Sequence, residues 1–315
     1  MHRTGAGLLC AITDNFTGRL RAFEAWQMYH AALCASQKFS FVTNSSSPCT
    51  TGPDNFSLEE RIYWSSWKSE SELRWELGLR DFDNRAINHP PLFPCPPEGQ
   101  SAEQLRSWYF YLSEISLWRH HFSAEQELHR LAHDKNSKPL EELMSQFEDL
   151  ERQIIDWQQS LAPPIYIGNL DDDAEPEDDF LKYLLRTQAG NYWELITWPF
   201  ISAAVKDRKN LSPGNRILVA KGLNWHSRRL ATYIPGFYHR HRGTWLMQRR
   251  SIRSALLLLA AALTPGVTDL MPNDWPDKIQ AVVAMLRRWS AEICDADQHA
   301  ELLSSLMDKY IYEFS

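Results

Sequence analysis

Apolar residues recur three and four positions apart along most of the chain, and this spacing limits the fold more than any other feature. Strict alternation of apolar and polar residues over the length of a strand is hard to find. Because residues with a period near 3.6 share one face of an α-helix, the sequence predicts an all-α fold without significant sheet. We expect a large multi-helix bundle in which neighbouring helices pair in antiparallel fashion.

Two segments carry the helical pattern in different ways. Between Leu140 and Leu161 the apolar residues form a single stripe, and Pro163 and Pro164 are expected to stop that helix. A second segment has two apolar sides, so we expect a central helix that is contacted from two directions. Its apolar residues are Leu105, Trp108, Tyr109, Leu112 and Ile115 on one side, and Phe110, Tyr111, Leu117 and Trp118 on the other.

Helix starts are indicated at three serines. Ser57 with Glu60 and Ser101 with Gln104 have the spacing of a capping box, in which a hydroxyl and a carboxyl or amide satisfy the free amides of the first turn. The third start is Ser212, because proline at position 213 suits the first helical position.

Composition limits the class of protein. With 315 residues, 43% of them apolar and 13 of them tryptophan, the chain is able to bury a substantial core, which excludes a disordered tail. We expect one domain over residues 1–315, either undivided or built from two closely packed halves. The longest apolar run, Ala255–Leu263, is far too short to cross a bilayer, and Leu8–Ile12 is too short for a signal peptide. We therefore expect a soluble intracellular protein.

Charge and cysteine content argue against nucleic-acid and zinc binding. The net charge of -7 requires a local basic face for any DNA contact, and the arginine-rich spots at 228–229, 240–242 and 249–253 are interpreted as solvated helix faces. The odd number of scattered cysteines contains no Cys-x-x-Cys pair and predicts neither a disulfide framework nor a zinc site. The cysteines are Cys10, Cys34, Cys49, Cys95 and Cys294.

Two patterns resemble metal sites, and for both we prefer the interpretation that the side chains are solvated and bind no metal. Asp171–Glu175 matches the Asp-Asp-x-x-Glu pattern that holds magnesium in helical terpene cyclases, but it lies between prolines where a helix is disfavoured. His129 and His133 have the i,i+4 spacing of two metal ligands, but the metalloprotease glutamate after the first is replaced by Arg130. We predict no catalytic, cofactor-binding, metal-binding or DNA-binding residues, and no cofactor.

Two further motifs are predicted to be structural. Pro90–Pro97 should be extended and serve as an ordered connector, with a ligand for a proline-recognition domain as the alternative. In His239–Trp245, Gly243 is expected to bend the chain before the next helix, with a partner contact as the alternative. The sequence also lacks a Gly-x-Ser-x-Gly elbow, a P-loop and a dinucleotide-binding glycine pattern. We therefore expect no enzymatic activity.

The order of several motifs resembles a known family. Leu58–Leu77 and Ser107–Leu117 are aromatic helical segments joined through LFPCPP at 92–97, and YWELITWPFI at 192–201 and HRHRGTW at 239–245 follow. In this order they resemble the regulatory middle homology region of fungal binuclear zinc-cluster transcription factors. The resemblance covers nearly the whole chain, from Trp26–His30 to the Ala/Leu-rich segment 256–263.

The resemblance implies a nuclear regulatory domain that controls transcription, with secondary metabolism as the expected setting. Its expected partners are other transcription regulators or a second copy of the chain, and a small apolar effector is a further expectation. The zinc cluster of that family is absent, so we expect no DNA binding by this chain alone. We also expect no membrane association. Three explanations for the absent zinc cluster stay open: a truncated gene model that also lacks part of the first helices, a natural variant, and a degenerate relative.

Two alternative functions follow from the same residues. An adaptor would bind another regulator and occupy its dimerisation or activation surface. An α-helical enzyme such as a terpene cyclase would need a second metal motif, for which Asn273–Asp274 is the nearest candidate. In that motif Asp277 and Ala281 stand where a hydroxyl and a carboxylate are needed.

Overall fold

The computed structural model describes residues 22–39, 42, 53–79, 101–133, 139–168, 179–207, 211–240, 243–293 and 295–314. These residues form nine α-helices and three short 3₁₀ turns, and no strand occurs among them, which confirms the predicted all-α class. In chain order the helices are α1 (Ala22–Ser36), α2 (Pro53–Glu76), α3 (Ala102–His133), α4 (Pro139–Gln159), α5 (Phe180–Asp207), α6 (Pro213–Tyr233), α7 (Thr244–Ala262), α8 (Trp275–Trp289) and α9 (Ala296–Phe314).

The chain divides into two compact units. The first contains Met1–Ser116 together with His241–Leu246, and the second contains Leu117–Arg240 together with Met247–Ser315. The prediction of one domain over 1–315 stays a prediction. Among the described helices, none is long and apolar enough to span a membrane.

In the first unit, α1 packs along α2. The core of this contact consists of Ala22, Ala25, Trp26, Tyr29 and Leu73, with Leu77, Leu79, Trp245 and Leu246 packed against it. The first part of α3 reaches α2 through polar contacts, because Tyr111 donates a hydrogen bond to the Arg61 carbonyl at 3.1 Å and Lys68 pairs with Glu114 at 2.6 Å. Trp245 and Leu246, which are distant in sequence, therefore complete the apolar core of this unit.

The predicted helix starts are confirmed at two of three serines. The Ser101 amide donates to Gln104 Oε1 at 3.0 Å and the Gln104 amide donates to Ser101 Oγ at 3.3 Å, so the capping box forms at the start of α3. Ser212 caps α6 by accepting from the Asn215 amide at 3.3 Å. The prediction at Ser57 is wrong, because α2 already begins at Pro53 and Ser57 lies inside it.

The apolar side of α3 is less buried than the sequence suggests. Ile115 is completely buried, whereas Leu105, Trp108, Tyr109 and Leu112 are only half-buried. The residues that follow them, Leu117 and Trp118, are buried. Burial therefore increases from the start of α3 to its middle, and only the middle has the environment of a central helix.

In the second unit, α5 and α6 pair in antiparallel fashion. Residue numbers that rise along α5 meet falling numbers on α6: Gly190 contacts Arg229, Trp193 contacts Trp225, and Thr197 lies beside Gly222. A Cβ at Gly222 would lie 2.6 Å from Ile201 Cδ1 and 2.8 Å from Thr197 Cβ. Because real Cβ atoms do not approach so closely, glycine allows the two helices to touch at this point.

The helices α4, α8 and α9 complete the second unit. The predicted stripe of α4 is buried at Leu143, Phe147, Leu150, Ile154 and Trp157, and Leu161 beyond its end is buried too. Tyr192 on α5 donates to the Leu150 carbonyl at 3.0 Å, which fixes α4 against α5. Trp275 meets Tyr310, and Arg287 lies 3.4 Å from Ser304, so α8 and α9 are also antiparallel.

Candidate functional site

A buried carboxylate lies in the middle of α5. Glu194 is 6% exposed, and its sequence neighbours Trp193, Leu195 and Ile196 are buried apolar side chains. A charged group without water needs compensating partners, since its desolvation is costly. The sequence provides these partners on the two helices that follow.

Two arginines bind Glu194. Arg229 on α6 donates from Nη1 to Glu194 Oε2 at 2.6 Å, and only 4% of its side chain is exposed. Arg253 on α7 donates from Nε to Oε1 at 2.5 Å and from Nη2 to Oε2 at 3.0 Å, with 30% of its side chain exposed. Glu194 thus joins three helices through charge-assisted hydrogen bonds, which are stronger than neutral ones.

A second nitrogen of Arg229 also binds α5. Its Nη2 donates to the Gly190 carbonyl at 2.8 Å and to Asn191 Oδ1 at 3.3 Å. Asn191 in turn donates to Gln188 Oε1 at 2.8 Å, one turn earlier on the same helix. The guanidinium therefore binds two successive turns of α5 and fixes the register between α5 and α6.

The carboxylate stays ionised. Burial alone would raise the pKa of Glu194, but the charges of Arg229 and Arg253 outweigh burial and hold the pKa well below its ordinary value. At neutral pH the Glu194 carboxylate therefore accepts hydrogen bonds and has no proton to donate. Because two guanidiniums stabilise its charged form, it is also unsuited to act as a base.

A histidine lies beside this ion pair. His226 on α6 is 1% exposed, and its Nδ1 lies 3.0 Å from Ser254 Oγ on α7. Burial lowers the pKa of His226 to about 3, and the nearby charge of Glu194, which acts in the opposite direction, does not offset this effect. We call Glu194, Arg229, Arg253 and His226 the charged centre.

The buried histidine gives a prediction for acid stability. The unfolded imidazole takes up a proton below a pH of about 6.5, while folded His226 stays neutral until about 3, so falling pH favours the unfolded chain in that window. The variant His226→Asn should take up one proton fewer on unfolding. Its unfolding free energy should therefore fall less steeply as the pH falls, by about 1.4 kcal/mol per pH unit. Urea unfolding curves between these pH values measure the slope.

A surface histidine serves as the control for that experiment. His239→Asn makes the same chemical change at an exposed position, so its unfolding free energy should keep the pH dependence of the unmodified chain. If His226→Asn and the unmodified chain show the same slope, His226 is protonated in the folded protein and the interpretation of its burial is wrong.

An aromatic stack adjoins the charged centre. The rings of Trp193 and Trp225 are parallel within 10° with their centroids 5.0 Å apart. Lys221 places its ammonium 4.6 Å from the Trp193 centroid and pairs with Glu151 on α4. Trp193 precedes Glu194 and Trp225 precedes His226 in sequence, so the stack reinforces the contact that the charged centre makes between α5 and α6.

Of the histidines and acidic residues in the two metal-site patterns, only His129 has a side chain that the structure describes. His129 is exposed on α3, while the side chain of His133, the run Asp171–Glu175 and the segment Pro90–Pro97 lie outside the described residues. Within the part of the chain that the structure describes, no group of three His, Cys, Asp or Glu side chains is arranged to hold a metal ion.

The motif at 239–245 has a structural role in its described residues. Gly243 forms a turn immediately before α7 begins at Thr244, as predicted. His239 is exposed, and Arg240 lies over the Trp289 ring with its guanidinium carbon 5.7 Å from the centroid and pairs with Glu292.

The candidate partner of the cyclase-like motif has other contacts. Asp274 accepts from Ser227 at 3.2 Å and pairs with Lys278 at 2.6 Å, and Lys278 also donates to Ser227 at 2.7 Å. These contacts hold the start of α8 against α6. A carboxylate with two such partners has the environment of a structural contact.

The interpretation of the arginine-rich spots as solvated helix faces was wrong at two positions. Arg229 and Arg250 are 6% and 3% exposed. The signal in the sequence was a single acidic residue, Glu194, inside the apolar run 192–201, because such a residue needs a cationic partner if the run is buried. The partner itself was not identifiable, since residues 35 and 59 positions away provide it.

The chain was compared with known proteins in three ways. No family model matches it, and neither a curated protein nor a solved structure shows significant similarity to it.

Proposed function

We propose that this chain is a helical regulatory domain of a fungal transcription regulator, which acts through ligand or protein contacts and does not read DNA itself. The observation that carries the proposal is the order of the aromatic helical segments. The segments at 58–77, 107–117 and 192–201 follow one another as in the middle homology region of zinc-cluster factors, and their described residues lie in α2, α3 and α5 of an all-α fold.

The charged centre supports a regulatory role better than a catalytic one. Its carboxylate is ionised between two guanidiniums and its imidazole is buried and neutral, so neither group is ready for proton transfer. What the centre does provide is a common connection among α5, α6 and α7. An effector or partner that shifts one of these helices would change the position of the other two.

The proposed lack of DNA reading follows from charge. The net charge is -7, and arginines on four of the described helices and one loop have acidic partners, so most of their positive charge is already compensated. These pairs are Arg216 with Asp269, Arg229 and Arg253 with Glu194, Arg240 with Glu292, Arg130 with Glu127 and Arg152 with Asp149. Phosphate contacts depend on basic side chains that are available to replace counterions.

The purified chain should therefore give no site-specific, salt-sensitive complex in a gel-shift experiment. A full-length zinc-cluster factor on its own operator is the positive control, and its complex should weaken steeply as salt is raised. The same experiment with the chain added to the zinc-cluster factor distinguishes a regulatory domain from an adaptor. An adaptor would supershift or dissociate the complex between the factor and its operator. A discrete complex of the chain alone with one DNA sequence would contradict the proposal.

A further inference from the structure

A thiol, an imidazole and a carboxylate lie in series on α1 and α2 of the first unit. Cys34 Sγ lies 3.6 Å from His30 Nε2, one turn earlier on α1. The other ring nitrogen, His30 Nδ1, lies 3.5 Å from Glu70 Oε1 on α2. A nucleophile next to a base, with the base next to an acid, is the arrangement that activates thiols and hydroxyls in proteins.

The imidazole is held in place from two sides. The Trp26 ring stacks on the His30 ring, with centroids 5.5 Å apart and planes within 25°. Glu70 is fully buried, accepts from Trp26 Nε1 at 3.1 Å and lies 3.4 Å from Arg74 Nε. The base and its acidic neighbour are therefore oriented by packing, while Cys34 itself lies at the surface.

We propose that Cys34 is a covalent acceptor for soft electrophiles of the α,β-unsaturated carbonyl class, with His30 as the base that takes the thiol proton and Glu70 as a positioning residue. This inference does not depend on the proposed regulatory role, because it concerns three residues of the first unit alone.

The chemistry balances without a further reactant. As the Cys34 sulfur forms a bond to the β-carbon, its proton moves to His30 Nε2 and the electron pair of the double bond moves to the α-carbon and carbonyl oxygen. The imidazolium then returns the proton to the α-carbon, which completes an addition with no leaving group. Glu70 lies 3.5 Å from the other ring nitrogen, His30 Nδ1, and keeps the ring oriented during the transfer.

The thiol needs this base because it is not ionised by its surroundings. Partial burial raises the pKa of the Cys34 thiol, and the negative charge of Glu70 raises it further. Without proton transfer to His30, Cys34 should therefore react more slowly than a cysteine in an unfolded chain. With proton transfer to His30, Cys34 should react faster than a cysteine in an unfolded chain. A comparison of the folded with the unfolded chain therefore distinguishes the two cases.

The test uses N-ethylmaleimide with the full chain near pH 7, followed by peptide mass spectrometry that reports each cysteine separately. Cys34 should be labelled faster in the folded chain than in the same chain unfolded in urea. In His30→Gln the rate at Cys34 should fall about a hundredfold, the low end of what acid–base catalysis contributes, roughly 10²–10⁴. At a pH high enough to ionise the thiol directly, the two proteins should react at similar rates.

A matched variant and a measurement without mutation guard against loss of structure. His239→Gln changes an exposed imidazole that lies outside the first unit, and Cys34 should keep its full rate there. The comparison of the folded with the urea-unfolded chain needs no variant at all. Equal rates in His30→Gln and the unmodified chain near pH 7, or slower labelling of the folded than of the unfolded chain, would overturn the proposal.

Discussion

Replacing Glu194 by glutamine should lower the free energy of unfolding by about 3–5 kcal/mol, because the change leaves Arg229 buried with its charge uncompensated. Glutamine keeps the length and most of the volume of the side chain, so lost packing contributes little. Urea unfolding followed by circular dichroism measures the change. The loss is large beside a total stability that is typically about 5–15 kcal/mol.

An ion pair at the surface provides the control for Glu194. Asp149→Asn removes a partner of Arg152 in a pair whose side chains are 59% and 66% exposed, and such pairs contribute only about 0–1 kcal/mol. A second comparison removes the two most buried charges and leaves Arg253, whose side chain is 30% exposed and reaches water. The double variant Glu194→Leu with Arg229→Met should be more stable than Glu194→Gln, since apolar residues replace a buried ion pair at little cost. If Glu194→Gln and Asp149→Asn cost the same, Glu194 does not hold the three helices together.

Replacing Trp193 by alanine should cost about 3–5 kcal/mol, the range for emptying a large aromatic site in a core. The side chain is 2% exposed, stacks on Trp225 of α6, packs against Phe147 of α4 and has the Lys221 ammonium over its face. The substitution therefore removes packing against two helices and a cation–π contact. The same unfolding experiment measures this loss, and the fluorescence of the remaining tryptophans should shift to the red as Trp225 becomes exposed.

The control for Trp193 lies five residues further along the same helix. Trp198 is 50% exposed, so Trp198→Ala tests an identical chemical change where little packing is lost. We expect it to cost about 1 kcal/mol or less, since point substitutions centre near 1 kcal/mol and surface ones lie below that. Equal losses at the two positions would mean that burial in the interior of the second unit does not set the cost of Trp193→Ala.

The sequence was sufficient for those parts of the fold that depend on local pattern. The all-α class, the stripe of α4 and the caps at Ser101 and Ser212 were all predicted, because helix period and capping chemistry act between residues a few positions apart. The start of α2 was misplaced, because Ser57 and Glu60 have capping-box spacing inside a helix that Pro53 begins.

Burial and long-range pairing were the parts that the sequence did not reveal. Trp108 and its neighbours form a convincing stripe, yet they are half-buried, because a helical period shows which residues share a face and not how completely that face is covered. The charged centre was missed for a related reason. A buried arginine and a solvated one look alike in sequence, and only tertiary contacts over 35 and 59 residues distinguish Arg229 and Arg253 from surface residues.

The proposed regulatory role is tested most directly by joining the chain to a heterologous DNA-binding module in a fungal host and measuring transcription from a reporter with the matching operator. We expect the joined chain to change reporter output relative to the module alone, and Trp193→Ala to abolish that change at equal protein levels. Output equal to that of the module alone, or a change that Trp193→Ala leaves intact, would contradict a role for this folded chain in transcription control.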